Sequence, residues 1–279
     1  MKLIIPPILF LTIKRVILLF KLGRLLSSNT PKWVKIINGD LANREILINK
    51  NTWPEMMSGN YDIELFNYLK QSDLKGQIIY DIGAHIGFSS MIFSTLVGEN
   101  GKVIAFEPNI FNLKRFEIIL NKNQDLKNKI IINNFAISDK NGEDDFIFSD
   151  TIDDGTSSGS FLWNSDTFYE KSTYEKNIGF KRTKVKIVSI NNYLEENTGL
   201  IPAVIKIDIE GAEFLALKGG LESIKKHKIK LLIEIHSIFN MFKVEELLRS
   251  IDYKIKLLKE EKDGRCFIAA FHDENNTAT

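Results

Sequence analysis

From Ile78 onward the chain alternates short apolar runs with segments of helical period. "QIIYDI", "KVIAFE", "KIIINNFAI", "AVIKIDI" and "KIKLLIEIH" are apolar at nearly every position, which is the pattern of strands buried on both faces. Between them, residues 86–97, "NIFNLKRFEIILNKN", "GAEFLALKGGLESIKKH" and "NMFKVEELLRS" read as helices with one apolar face. This alternation predicts a doubly wound, Rossmann-like α/β fold, with a mostly parallel sheet covered on both sides. "YKIKLLK" and "RCFIAAFH" close the chain as an antiparallel hairpin around Asp263-Gly264. Upstream, "KWVKII" and "REILIN" read as two short strands joined by a turn through Asn38-Gly39, and "YDIELFNYLKQ" as a helix.

The alternation breaks between about 139 and 189. There "DDFIFS" and "TKVKIVS" read as strands flanking the polar stretch "DTIDDGTSSGSFLWNSD". The expected organisation is an N-terminal segment 1–29, strands and a helix over 30–75, and a main domain over 76–279. The insertion at about 139–189 forms a β excursion or a lid over the sheet's rim.

Residues 1–29 are strongly apolar but interrupted by Lys14 and Arg15. A bilayer crossing needs about 20 apolar residues, and no uninterrupted run of that length occurs. On a helix, Lys14, Arg15, Lys21 and Arg24 fall within one half, and Leu9, Val16, Ile17, Leu18, Phe20 and Leu22 supply apolar surface. The segment reads either as a basic amphipathic helix on an anionic membrane surface or as a helix packed on its own domain.

Composition narrows the class. The 279 residues are 44% apolar and 26% charged, as in ordinary globular proteins. A net charge of +1 gives no global electrostatic case for nucleic acid. Cys266 is the single cysteine, so no internal disulfide forms, and its neighbours "CFIAAF" predict a buried core thiol. The expected location is cytoplasmic, with peripheral contact at the membrane face through residues 1–29.

The chemistry starts at the first strand-to-helix turn, Asp81-Ile82-Gly83-Ala84-His85-Ile86-Gly87. Doubly wound folds bind ligands at the carboxyl ends of their strands. The turn lacks the G-x-G-x-x-G spacing that brings backbone against a pyrophosphate. It opens instead with Asp81, an acid suited to an ammonium group. An adenosine-bearing cation fits, and S-adenosylmethionine carries a sulfonium, an amino-acid tail and a ribose. Glu107 ends the second strand, where an acid accepts hydrogen bonds from ribose hydroxyls. Pro108 and Asn109 follow it and open a helix. Asp81 also reads as a plain capping acid, and Glu107 as an acid complementing a helix dipole.

These residues resemble the FkbM family of S-adenosylmethionine-dependent methyltransferases. The likeness runs from about Tyr61 to His236, through "YDIEL", "DIGAHIGF", "AFEPN", "NNFAISDKNGE", "GTSSGS", "IKIDIEGAEFLALKGG" and "LLIEIH". His85 departs from the family, which more often has Asn there. The resemblance implies methyl transfer to a hydroxyl oxygen, often of a sugar or secondary metabolite. It implies that Asp81, Gly83, Ala84, His85, Gly87, Glu107, Pro108 and Asn109 line the cofactor, with Asn134 and Ala136 near the adenine.

An alkyl hydroxyl is a poor nucleophile, so a base or a metal must act on it. Lys206, Asp208 and Glu210 stand at alternate positions of one strand, and Glu234 and His236 at alternate positions of the next. His236 is the leading base, since imidazole titrates near neutrality, with Asp208 positioning it or the substrate. Lys206 and Asp208 also read as an internal ion pair, and His236 as a satisfied core residue. A divalent cation on Asp208 and Glu234 or His236 is the competing route. No dense ligand spacing supports it, so no metal is assigned. Ser157, Ser158, Ser160 and Trp163, with Phe161, would meet a sugar's hydroxyls and ring faces. Glu213 and Gly219-Gly220 are expected to serve helix structure.

Two functions follow. One is an O-methyltransferase acting on a sugar, glycolipid or secondary metabolite. The other is a non-catalytic S-adenosylmethionine-binding module docked to a membrane. A nicotinamide oxidoreductase is disfavoured by Asp81 and the glycine spacing.

Overall fold

A computed structural model describes residues 30–149, 158–165, 179–262 and 264–272. The segment 1–29, Ser157 and Asp263 therefore lie outside the described residues. Strands β1 (Lys32–Lys35) and β2 (Glu45–Ile48) pair antiparallel, and short helices α1 (Pro54–Ser58) and α2 (Ile63–Leu69) follow. The first half of the core is β3 (Ile78–Ile82), α3 (Phe88–Val97), β4 (Lys102–Phe106), α4 (Ile110–Lys122), α5 (Gln124–Lys127) and β5 (Ile130–Asn133). The second half is β10 (Val204–Ile207), α7 (Glu213–Lys218), α8 (Leu221–His227), β11 (Lys230–Ile235), α9 (Ile238–Arg249), β12 (Tyr253–Glu260) and β13 (Cys266–His272). Between the halves lie β6 (Ala136–Ile137), β7 (Gly142–Phe148), β8 (Phe161–Leu162), β9 (Lys181–Val188) and α6 (Ile190–Glu196).

Seven strands form the main sheet in the order β12-β13-β11-β10-β3-β4-β5. β5, β4, β3, β10 and β11 run parallel, and β13 runs antiparallel to β11 and β12. After β3 the chain steps outward through β4 and β5, then returns to lay β10 against β3's other edge. That reversal opens a crevice at the carboxyl ends of β3 and β10. Side chains alternate between the two faces. Ile79, Val103, Ala105, Val204 and Leu232 pack with Phe93 and Phe116 on one side. Tyr80, Ile104, Ile205, Leu231 and Ile233 pack with Ala216, Ile224 and Val244 on the other. Each fully buried large apolar side chain contributes about 1.5–3 kcal/mol relative to exposure.

The expected strand "KIIINNFAI" is two strands in two sheets. β5 ends at Asn133, and β6 pairs with β9 in a separate four-stranded sheet ordered β6-β9-β7-β8. The break falls at Asn134, whose side-chain amide donates to the carbonyls of Glu107 and Pro108 at 3.2 and 3.1 Å. The expected helix "GAEFLALKGGLESIKKH" also divides, into α7 and α8. A Cβ at Gly219 would stand 2.2 Å from the Ser138 carbonyl oxygen, so the chain passes there only without a side chain. Cys266 opens β13 and packs against one apolar core, but it is half-buried rather than the buried thiol expected.

Candidate functional site

A cavity of about 790 Å³ opens at the carboxyl ends of the parallel strands. One side is formed by the β3–β4 half, with Ile82, Gly83, His85, Phe106, Glu107 and Pro108, roofed by Ala136, Phe146, Ser158, Ser160 and Leu162. The other is formed by Asp208, Glu210, Glu234, Arg265 and Phe267 from the β10–β11–β13 half. Tyr61 and Asp62 from the start of α2 also line the cavity. Eight lining residues are acidic: Glu55, Asp62, Glu64, Glu107, Asp208, Glu210, Glu234 and Glu261. Only Lys259 and Arg265 among the lining lysines and arginines oppose them. Such a cavity favours a cation over a phosphate.

The glycine turn has the geometry that its residue types require. Gly83 has φ +82°, and a Cβ there would lie 1.8 Å from the Asp208 carbonyl oxygen. Gly87 has φ +85°, and a Cβ there would penetrate the Phe116 ring. His85 also adopts a left-handed backbone (φ 51°), a conformation that Asn reaches more easily than most residues. Its ring centroid lies 5.4 Å from that of Trp53, at the cavity wall. Ala84 is buried in the core beneath the turn.

Glu107 is fixed by its surroundings before any ligand arrives. Its Oε2 accepts from the His85 backbone N–H at 2.9 Å, and its Oε1 from the Asn109 backbone N–H at 2.8 Å and Asn112 Nδ2 at 3.2 Å. Burial pushes its pKa up to about 7, against the pull of those donors. Oε1 thus accepts two bonds already, and Oε2 retains one site for a further bond. Asn109 is buried and caps α4, its side chain accepting from the Phe111 N–H at 3.0 Å.

Asp81 is not where the sequence reading put it. It is fully buried, does not line the cavity, and already has a cation. β3 and β10 are neighbours in register, with Asp81 opposite Lys206. The Lys206 ammonium lies 3.3 Å from Asp81 Oδ1 and 3.1 Å from Asp208 Oδ2, and donates to the Gly83 carbonyl at 3.1 Å. Ser90 Oγ also donates to Asp81. Burial alone would lower the Lys206 pKa, but Asp208 and Asp81 outweigh it and raise it. Lys206 therefore serves as an internal cation tying the glycine turn to β10.

His236 is also displaced from its expected role. It is 2% exposed and does not line the cavity. Its Nδ1 meets Glu213 Oε1 at 2.9 Å. Glu213 is itself fully buried, and accepts from the Gly211 N–H at 3.0 Å and from Asn240 Nδ2. The Nε2 of His236 faces Glu210 Oε2 at 3.5 Å, Asp208 Oδ1 at 3.7 Å and Glu234 Oε1 at 3.8 Å. Burial would lower the imidazole's pKa, but Glu213, Glu210 and Glu234 hold it well above the ordinary range. Set behind the cavity wall with one ring nitrogen engaged by Glu213, the imidazole is poorly placed to take an acceptor's proton, contrary to the expectation that it is the base. Asp208 and Glu210 face the cavity, and His236 stands behind them. Burial pushes Glu234 up to about 9, with Asp208 beside it adding to the rise, while Arg265 Nη1 donates to its Oε1 at 2.9 Å.

Of the remaining expected residues, Ser158, Ser160 and Ala136 line the cavity. Trp163 does not: its ring packs under the Arg182 guanidinium, 4.6 Å from the centroid, while Phe161 faces the cavity. Asn134 turns its amide to the backbone after β4. Sequence reasoning missed Trp53, Asp62 and Arg265 on the cavity wall, and Glu213's hold on His236. Asp62 has a left-handed backbone (φ 48°), and burial pushes its pKa up to about 7. The signal available was the "YDIEL" stretch, noted above only for its resemblance.

Residues 81–255 match the Methyltransferase FkbM domain family. The chain is 24% identical over 201 residues to a hexuronic acid methyltransferase of Haloferax volcanii, covering 72% of this chain and 73% of that protein. Among solved structures it resembles a methyltransferase FkbM from Methylobacillus flagellatus, with TM-score 0.48 and 18% identity over 79% of this chain. That match spans 54% of the Methylobacillus chain. It also resembles an O-methyltransferase from Bacillus cereus, with TM-score 0.47 and 10% identity over 81% of this chain and 92% of that one. With its family match extending over more than half its length, the chain belongs to the FkbM methyltransferase domain family.

Proposed function

We propose that this methyltransferase uses S-adenosylmethionine and methylates a hydroxyl oxygen of a sugar, a glycolipid or a secondary metabolite. The observation that carries the reading is the acidic cavity with the fixed Glu107 carboxylate in its wall. The two backbone donors that hold Glu107 come from the turns after β3 and β4, so the open site on its Oε2 is aimed before binding. A ribose hydroxyl of the donor would use it, with the adenine against Ala136, Phe146 and Leu162. The surplus of carboxylates suits the donor's sulfonium and ammonium. Gly83 and the His85 ring would bound its amino-acid end.

S-adenosylmethionine supplies an electrophilic methyl group, and the protein must orient the acceptor oxygen and take its proton. Asp208 and Glu210 are the strand-end carboxylates that reach the cavity from β10, and they replace His236 as the proton-accepting groups. The new O–C bond forms as the C–S bond breaks, and sulfur keeps the electron pair as a thioether. Lys206 holds Asp208 in place from behind. Ser158, Ser160 and Phe161 on the rim suit a hydroxylated acceptor, and the name of the Haloferax relative points to the same class.

Contact with a membrane face is part of this proposal. Among the described residues no helix is long and apolar enough to cross a membrane. The contact is assigned to the basic, apolar residues 1–29, which lie outside the described residues. Co-sedimentation with anionic vesicles tests this, and protein left in the supernatant contradicts it. The main test is incubation with methyl-labelled S-adenosylmethionine and fractionated glycans, glycolipids and small metabolites. Label in an O-methyl ether supports the proposal; label confined to nitrogen, or no transfer to any fraction, contradicts it.

A further inference from the structure

We propose that Asp208, Glu234 and His236 form a divalent-cation site at the carboxyl ends of β10 and β11. The use assigned to it below rests on the O-methyl transfer reading; the site itself does not. Each residue offers one donor atom, and all three atoms lie within 4.8 Å of one another. Asp208 follows β10, Glu234 lies in β11, and His236 comes just after it, so two adjacent strands fix the donors' spacing.

The decisive atom is His236 Nε2. It is buried and makes no hydrogen bond, although it points into a group of carboxylates. The gaps of 3.7 Å to Asp208 and 3.8 Å to Glu234 exceed a hydrogen bond. Tetrahedral donors that share a cation at about 2.0–2.2 Å each stand about 3.3–3.6 Å apart, so the gaps need to close by only a few tenths of an ångström to hold one. The plain alternative is an imidazolium balanced through space by its carboxylates. That arrangement leaves a buried charged N–H without an acceptor, which is unfavourable by at least as much as a neutral donor left unsatisfied.

The other ring nitrogen supports the same assignment. Metal-ligating histidines characteristically engage a carboxylate or carbonyl through the second nitrogen, which sets the tautomer and the ring's direction. Glu213 does this at 2.9 Å from a fully buried position, itself held by Gly211 and Asn240. Glu210 Oε2, 3.5 Å from Nε2, stands within reach as a further donor. Asp208, Glu210 and Glu234 line the cavity, so coordination positions left open by the protein would face the acceptor. A cation there would make the acceptor hydroxyl more acidic. With Asp208 engaged, the proton passes to Glu210.

The test is calorimetric titration of MnCl2 into the chelator-treated full chain, paired with pulsed electron paramagnetic resonance of bound Mn2+. The expected result is one bound ion per chain with a nitrogen coupling from imidazole. Asp208→Asn and Glu234→Gln should each weaken Mn2+ binding at least ~10-fold. His236→Gln should remove the nitrogen coupling. Circular dichroism and S-adenosylmethionine titration in chelator establish which variants are folded, so that one misfolded variant leaves the others decisive. No Mn2+ binding by the parent chain, or binding unchanged in every folded variant, overturns the site. Donor binding without Mn2+ binding removes the cation alone. Mn2+ binding without donor binding removes the methyl-transfer reading and leaves the site standing.

Discussion

The two halves of the cavity are built in different ways. On the β3–β4 side one carboxylate, Glu107, is held by two backbone N–H groups and an asparagine, all within a few residues of the turns after β3 and β4. On the β10–β11 side four carboxylates and an imidazole crowd together, held by side chains: Lys206 on Asp208, Glu213 on His236, and Arg265 on Glu234. Backbone donors fix a single acceptor for a ligand that must always bind the same way. The side-chain cluster leaves unbalanced charge and an unpartnered ring nitrogen, which suits a place where protons or cations change hands. Donor binding should thus fail with changes on the first side, and chemistry with changes on the second.

The largest expected effect lies between the halves. Lys206→Ala leaves the buried Asp81, and Asp208 beside it, without their cation, and should lower stability by about 3–5 kcal/mol. Chemical denaturation measures it, and a loss below 1 kcal/mol would show that the pair is not needed there. Next is Asp208→Asn, expected to cut turnover about 100-fold while donor affinity stays within about 3-fold, since in the proposed reading Asp208 acts on the acceptor, as its base or through a bound cation, and does not hold the methyl donor. An equal fall in affinity would merge the two halves. Glu107→Gln should do the opposite and weaken donor binding about 10- to 100-fold, the worth of hydrogen bonds to a charged group.

The smallest effect is a pH dependence on the donor side. Burial pushes the Glu107 pKa up to about 7, and in the proposed complex a ribose hydroxyl would donate to its charged form. Affinity for S-adenosylmethionine should be highest above pH 7 and fall as pH drops through it, by up to about 10-fold per unit. In Glu107→Gln this component should vanish. A profile that is flat in the parent chain, or unchanged in the variant, would remove Glu107 from the ribose.

The uneven legibility of the sequence follows the same division. The glycine turn, Glu107 and the alternation of strand and helix are local, and apolar runs such as "VIAFE" and "LLIEI" reveal buried parallel strands directly. Asp81 was misread because its partner, Lys206, is distant in the chain and becomes its neighbour only when β10 returns beside β3. His236 was read as a base because nothing local announces that Glu213, Glu210 and Glu234 surround it. The split of "KIIINNFAI" was hidden for a related reason. Asn134 leaves the strand to bond the turn after β4, a contact made across the sheet rather than along the chain. α1 and α5, of five and four residues, are too short to display a helical period, so periodicity passed over them.

The most direct measurement is calorimetric titration of the full chain with S-adenosylmethionine and, in parallel, with NAD. The account predicts one bound S-adenosylmethionine per chain, weakened in Glu107→Gln, and no comparable heat from NAD. Tight binding of NAD with none of the methyl donor would contradict it.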